Sequence, residues 1–266
     1  MPDYSSRETP VALSIAGSDS GGGAGIQADL LTFRALGVYG TTAITCTTAQ
    51  NPDSVISVSP LSPEHVKDQI RQVLDYFDVR AIKTGMLFNA EIIRAVVECL
   101  SGSRRIPVVV DPVMVATSGS VLLQPDAIEV LTKELFPLAT LVTPNLDEVK
   151  VLIRRHPKDL QSIVNAARSL ATRFQTAFLV KGGHLPGNQL TDVLAFPESD
   201  FRTFNTQRIP GVNSHGSGCS LASAIAAEIA RGNQLDEAIE KAHRFLQDTF
   251  LRPVILSKGA FLNHFR

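Results

Sequence analysis

The chain has 266 residues, 44% of them hydrophobic and 19% charged, and a formal net charge of -1, enough for a substantial core in one large or two small domains. No basic block or stripe suits nucleic acid or a membrane surface, and no run approaches the ~18 apolar residues of a membrane span. The three cysteines, Cys46, Cys99 and Cys219, form no C-x-x-C pair and no metal-ligand spacing, so reduced thiols in the cytoplasm are expected.

Residues 1–10 are polar, lack the charged-then-apolar order of a signal peptide and read as a loose segment. Val11 to Ala16 is a short apolar run ahead of glycines, and Ile26 to Leu36 carries Ile26, Leu30 and Phe33 at helical spacing up to Gly37. Thr41 to Thr48 is β-branched. Ser62-Pro63 then supplies a cap and a first-turn proline for a helix bearing Val66, Ile70, Val73, Leu74 and Phe77. Strand and helix alternate from there: Val79 to Ile82, Ala90 to Leu100, Pro107 to Val110, Asp126 to Phe136, Thr140 to Val142, Ile163 to Phe174 and Ala177 to Val180. Two strand-like runs, Thr191 to Phe196 and Arg202 to Ile209, flank Pro197-Glu198-Ser199-Asp200 and read as an antiparallel hairpin at a sheet edge. Helices over Leu221 to Ala230 and Leu235 to Phe250 close the order. This alternation implies βαβ units, a mainly parallel sheet and helices on both faces. No linker or repeat divides the chain, so residues 11–266 are expected to be a single domain.

Three polar residues, Asp111, Asn145 and Lys181, each follow a strand-like run. Ligands of open α/β sheets bind beyond the C-terminal ends of strands, although strands must end somewhere and often end at such residues. The loop Gly17 to Gly25 follows a strand and precedes a helix, but it misses G-x-G-x-x-G in register and reads equally as a tight turn. G-x-x-x-x-G-K-[ST] does not occur. The run Ser214-His215-Gly216-Ser217-Gly218-Cys219-Ser220 opens into the helix at Leu221. Free N–H groups and the positive end of the dipole make such a helix start an anion pocket, and a cysteine there is expected to be acidified. The plainer alternatives are a small-residue cap and a buried, inert thiol.

Several blocks carry a resemblance to a known family. They are Ala16-Gly17-Ser18-Asp19, Gly22-Gly23-Ala24-Gly25-Ile26-Gln27-Ala28-Asp29, Ala49-Gln50-Asn51, Lys83-Thr84-Gly85-Met86-Leu87, Asp111-Pro112-Val113-Met114, Thr143-Pro144-Asn145-Leu146 with Glu148, Lys181-Gly182-Gly183-His184 and His215-Gly216-Ser217-Gly218-Cys219. In this order they resemble the bacterial hydroxymethylpyrimidine/phosphomethylpyrimidine kinases of thiamine biosynthesis, over about residues 11 to 230. The resemblance implies the ribokinase-like fold, a three-layer α/β/α sandwich, and an ATP- and magnesium-dependent kinase acting on 4-amino-5-hydroxymethyl-2-methylpyrimidine and then on its monophosphate.

The same resemblance assigns roles. Gln50 would bond the aminopyrimidine edge, with Asp29, Gly17, Ala24, Met86 and Val113 completing the substrate pocket. Asp111 and Glu148 would lie near magnesium, and Asn145 and Lys181 near the nucleotide phosphates. Gly216, Ser217 and Gly218 would form the anion hole and Cys219 would be the base. Where some family members place lysine after the Asp111-Pro112-Val113-Met114 block, this chain has Thr117, which can bond phosphate but brings no charge. His184 and His215 read as loop residues. A homodimer is the family's common assembly. Two other readings stay open: a pyridoxal-type kinase, whose substrate is also an aromatic nitrogen ring bearing a hydroxymethyl group, and a sensor that binds without turnover.

Overall fold

The short apolar runs form the middle of one nine-stranded sheet. The computed structural model describes residues 8–102, 106–114, 123, 125–183, 187–198 and 200–265. Its strands are β1 (Val11–Asp19), β2 (Tyr39–Asn51), β3 (Ser54–Pro60), β4 (Val79–Thr84), β5 (Val108–Val110), β6 (Leu141–Val142), β7 (Ala177–Val180), β8 (Gln189–Ala195) and β9 (Phe201–Gln207). They lie in the order β3-β2-β1-β4-β5-β6-β7-β8-β9. Pairing is parallel from β2 across to β7 and antiparallel at β2–β3, β7–β8 and β8–β9.

Successive side chains on a strand point to opposite faces, and here both faces are covered. Leu13, Ile15, Val110 and Phe178 pack on one side with α2 (Pro63–Tyr76), α3 (Ala90–Leu100), α4 (Pro125–Val130), α5 (Leu146–Ile153) and α6 (Leu160–Phe174). Their neighbours Ala12, Val109 and Leu179 pack on the other with Phe33 of α1 (Gly25–Ala35), Ile225 of α7 (Ser217–Ala230) and Phe245 of α8 (Leu235–Leu251). Central strands buried on both faces need continuous apolar runs rather than alternation, which is what Val108-Val109-Val110 provides. The architecture is the expected three-layer α/β/α sandwich, with the β8–β9 hairpin at one edge.

Several elements differ from the sequence expectation. β2 continues to Asn51 and turns back as β3, so Gln50 lies on a strand tip. α5 is additional. The helix expected over 126–136 is α only to Val130, then π over Leu131–Leu135 and 3-10 over Phe136–Leu138, because Pro137 cannot donate to the preceding turn. α7 begins at Ser217, four residues before Leu221. After α8 a short hairpin, β10 (Val254–Leu256) and β11 (Gly259–Phe261), packs back on the chain. Asn213 N–H donates to the Ala260 carbonyl at 2.8 Å, and Ser220 Oγ and His264 Nε2 share a buried bond of 2.8 Å. The C-terminal segment thus holds the chain on both sides of the α7 start. Among the described residues no helix is long and apolar enough to cross a membrane.

β1 hands the chain to β2 on one side, while β4 to β7 follow on the other. The sheet therefore parts beyond the C-terminal end of β1, the place where open α/β sheets hold ligands.

Candidate active site

A cavity of about 560 Å³ opens there, within the usual range for small-molecule sites. Its wall brings together Gly17, Ala24, Gln50, Met86 and Val113 with Asp111, Asn145, Glu148, Lys181 and the whole run Gly216 to Cys219. Residues far apart in the chain converge because most end a parallel strand or begin the helix after it, while Gly216 to Cys219 begin α7 after the antiparallel β8–β9 hairpin.

The α7 start is built from glycines for steric reasons. Gly216 caps the helix at φ +80, and a Cβ there would fall 1.7 Å from the Gly23 carbonyl oxygen, so no other residue fits without moving the loop. Ser217 N–H is bonded to the Ser214 carbonyl and Ser220 N–H to that of Gly216. Gly218 and Cys219 therefore carry the N–H groups that α7 presents to a ligand, with the dipole behind them. Gly216 and Ser217 form the turn that leads into these groups and line the same cavity. A Cβ on Gly218 would lie 3.3 Å from Lys181 Nζ and 3.7 Å from an Asp111 oxygen, so the anion pocket abuts the charged cluster.

In that cluster Lys181 Nζ donates to Asp111 Oδ1 at 3.0 Å, and Thr143 Oγ1 donates to the same oxygen at 3.3 Å. Burial alone would lower the lysine pKa, but Asp111 and Glu148 outweigh it and the ammonium is held above its usual value. Asn145 Oδ1 caps α5 by accepting from Asp147 and Glu148 N–H, each at 2.9 Å, and Glu148 Oε2 accepts Asn145 N–H at 2.8 Å. This capping box fixes Glu148 against the cavity. Burial pushes the Glu148 carboxyl up to about 8, against Lys181. Among the described residues no group of three or more His, Cys, Asp or Glu is arranged to hold a metal. Two carboxylates do suit magnesium, which keeps waters and takes its remaining ligands from phosphate.

Cys219 departs from the sequence expectation. Burial pushes its thiol up to about 11, with Lys83 the strongest opposing influence. Desolvation of the thiolate exceeds the acidifying effect expected from the helix start. Cys46 is buried behind Gly17 and Cys99 lies half-buried in α3, as expected of core thiols.

Asp29 is the residue that the structure does not bring to the cavity wall. It is fully buried. Lys83 Nζ donates to Asp29 Oδ1 and Oδ2 at 2.9 and 2.8 Å, Ser14 Oγ to Oδ2 at 2.5 Å and Ser223 Oγ to Oδ1 at 2.6 Å. The ammonium of Lys83, itself fully buried, lines the cavity in its place, and its pKa is raised: burial opposes the charge, but Asp29 prevails. Thr117 and His184 lie outside the described residues.

The sequence reading also missed the far wall. Leu190, Val212 and Leu221 line an apolar stretch with His243, Leu246 and Phe250 of α8. His243 Nε2 and Asp192 Oδ2 lie 2.8 Å apart, and Asp192 Oδ1 accepts Gly182 N–H at 2.8 Å. Helical periodicity made α8 legible; which residues of it face a ligand depends on packing.

Comparison with known proteins agrees with this geometry. The profile of the family described as phosphomethylpyrimidine kinase matches residues 19–263. A hydroxymethylpyrimidine/phosphomethylpyrimidine kinase from Rhizobium meliloti is 48% identical over 241 residues, 90% of this chain and 89% of that one. A thiamine biosynthesis bifunctional protein from Geobacter sulfurreducens is 47% identical, over 88% of this chain and 48% of its own length. Among solved structures, an ADP complex of pyridoxal kinase from Bacillus subtilis superposes with a TM-score of 0.87 at 33% identity, covering 97% of this chain and 98% of that one.

Proposed function

The chain belongs to the phosphomethylpyrimidine kinase family, and we infer that it phosphorylates 4-amino-5-hydroxymethyl-2-methylpyrimidine and then its monophosphate, using ATP, to make the diphosphate for thiamine biosynthesis. The observation that carries this reading is the convergence on one cavity of Cys219, the α7 N–H groups and the Lys181–Asp111 pair. Binding without turnover would require no thiol at an anion pocket.

Phosphoryl transfer demands positioning and compensation of charge more than covalent help. The ring would sit among Gly17, Ala24, Met86 and Val113, with the Gln50 amide on its polar edge. Its hydroxymethyl group would face Cys219. The N–H groups of Gly218 and Cys219, with the Lys181 ammonium, would bond the moving phosphoryl group. Asn145, whose oxygen is committed to α5, would offer its amide donors to the nucleotide phosphates, and the apolar wall by α8 would take the base. Asp111 and Glu148 would hold magnesium, which when bound spreads charge over the phosphates. Cys219 would accept the alcohol proton; with a thiol near 11 the thiolate is scarce but strongly basic, and Lys83 is the cation nearest in effect. Asp29 would act at one remove, by fixing Lys83. Residues 11–266 would work as one domain. A cytoplasmic location, a homodimer and a phosphate contact from Thr117 belong to the same reading and are supported by the family resemblance alone.

The likeness to pyridoxal kinase supports a second substrate, pyridoxal, less strongly, since identity to the pyrimidine kinase is higher at 48% against 33%. A coupled assay of ADP release with each substrate at equal enzyme concentration tests the order. We expect the larger kcat/KM for the pyrimidine; the reverse result would make the chain a pyridoxal kinase.

A further inference from the structure

We propose that Asp19 and His215 are positioning residues that hold the glycine loop of the ring pocket against the start of the anion hole. The inference rests on the kinase reading above. Asp19 ends β1 and its side chain is 1% exposed. Its Oδ1 accepts Gly21 N–H at 2.7 Å; its Oδ2 accepts Ala24 N–H at 2.8 Å and Gly23 N–H at 3.1 Å, and meets His215 Nε2 at 3.0 Å. Burial alone would raise the acid's pKa, but bonds from His215, Gly21 and Ala24 outweigh it and hold the pKa at about 2. The carboxylate is therefore ionised and can only accept, so His215 Nε2 carries the proton and donates it.

These contacts join two loops separated by 196 residues of chain. One, the glycine loop, carries Ala24 of the ring pocket. The other runs from His215 directly into Gly216 and the α7 start. Their fit leaves no slack: a Cβ on Gly23 would lie 2.8 Å from the His215 ring, and one on Gly216 would strike the Gly23 carbonyl. Gln50 is tied to the glycine loop by its main chain, since Ser20 Oγ accepts Gln50 N–H at 2.9 Å and donates to the Gln50 carbonyl at 2.8 Å. The Gln50 main chain is thus bonded to Ser20 of the glycine loop, and Asp19 bonds that loop to His215 beside the anion hole. Catalysis is sensitive to such placement, a shift of ~1 Å being worth about 10²-fold in rate.

The test is a double-mutant cycle on kcat with the full chain, the pyrimidine alcohol and magnesium ATP. His215→Ala alone should lower kcat about tenfold or more, leave KM for ATP within about threefold, and leave the melting temperature and the titre of nucleotide-binding sites near the parent's. His215→Gln, which keeps a donor at the Nε2 position, should recover most of the loss. In an Asp19→Ala background His215→Ala should cost less than about threefold, because its partner is already gone. Losses that multiply independently would overturn the coupling. A loss of kcat matched by a loss of nucleotide-binding sites would make His215 merely structural and equally overturn it. A parent protein that never phosphorylates the pyrimidine would instead overturn the kinase reading beneath.

Discussion

Cys219 offers the most discriminating perturbation, because the two phosphorylations make opposite demands on it. The first nucleophile is an alcohol, whose proton must leave. The second is a phosphate oxygen, already ionised above pH 7 because the second phosphate pKa is about 6. With the thiol at about 11, roughly one molecule in 10³ carries thiolate at pH 8, and that fraction rises about tenfold per pH unit. The first-step rate of the parent should therefore climb about tenfold per unit from pH 7 to 9, while the second-step rate stays flat. Saturating magnesium nucleotide keeps Glu148 ionised throughout, so the slope belongs to the thiol. Cys219→Ala should lower the first step by about 10²-fold or more, the scale of a lost general base, abolish its pH slope and leave the second step within a few-fold. Single-turnover quenched flow on the alcohol and on the monophosphate gives both rates at each pH. Equal losses in the two steps would refute the base assignment and recast Cys219 as packing beside the anion hole.

Gln50→Leu should weaken pyrimidine binding by about 1–3 kcal/mol, the scale of an unpaired polar group beside a buried ring, with nucleotide affinity nearly unchanged; calorimetric titration of each ligand checks both halves. Lys181→Ala should reduce kcat more than it raises KM for either substrate, since its charge matters most where phosphoryl charge rearranges, and steady-state kinetics with varied ATP would expose a change confined to the pyrimidine KM. Glu148, with its pKa raised to about 8, is protonated in the ligand-free protein at pH 7 and must ionise to hold a metal. Binding of magnesium nucleotide should therefore release close to one proton at pH 7, a release that fades as pH rises past 8 and vanishes in Glu148→Gln; calorimetry in buffers of different ionisation enthalpy reads it.

The central strands were legible because burial on both faces requires unbroken apolar runs, as in Val108-Val109-Val110 and Ala177 to Val180. Polar residues just beyond them, Asp111, Asn145 and Lys181, marked the cavity for the same reason: sheet topology sends strand ends to one place. β3 was not legible because its exposed residues, Ile56 among them, pack on no core that could impose a pattern. α5 did leave a signal, Asn145 followed three residues later by Glu148, which is a capping box as well as a ligand pair. The small residues from Gly216 to Ser220 resemble a loop, which displaced the expected start of α7. Asp29 faces Lys83 rather than the cavity, and the Cys219 thiol is raised rather than lowered. Both outcomes follow from three-dimensional burial, which no local spacing encodes. The Asp19–His215 and His243–Asp192 pairs join positions 196 and 51 residues apart and become visible only in the folded chain.

Product identity over time is the most direct measure of the account. The protein is incubated with 4-amino-5-hydroxymethyl-2-methylpyrimidine, ATP and magnesium, and the products are followed by mass spectrometry and phosphorus NMR. The account predicts that the monophosphate appears first and is converted to the diphosphate, with one ADP formed per phosphoryl group transferred. ADP formed without a phosphorylated pyrimidine, or no turnover of the pyrimidine alongside ready phosphorylation of pyridoxal, would contradict it.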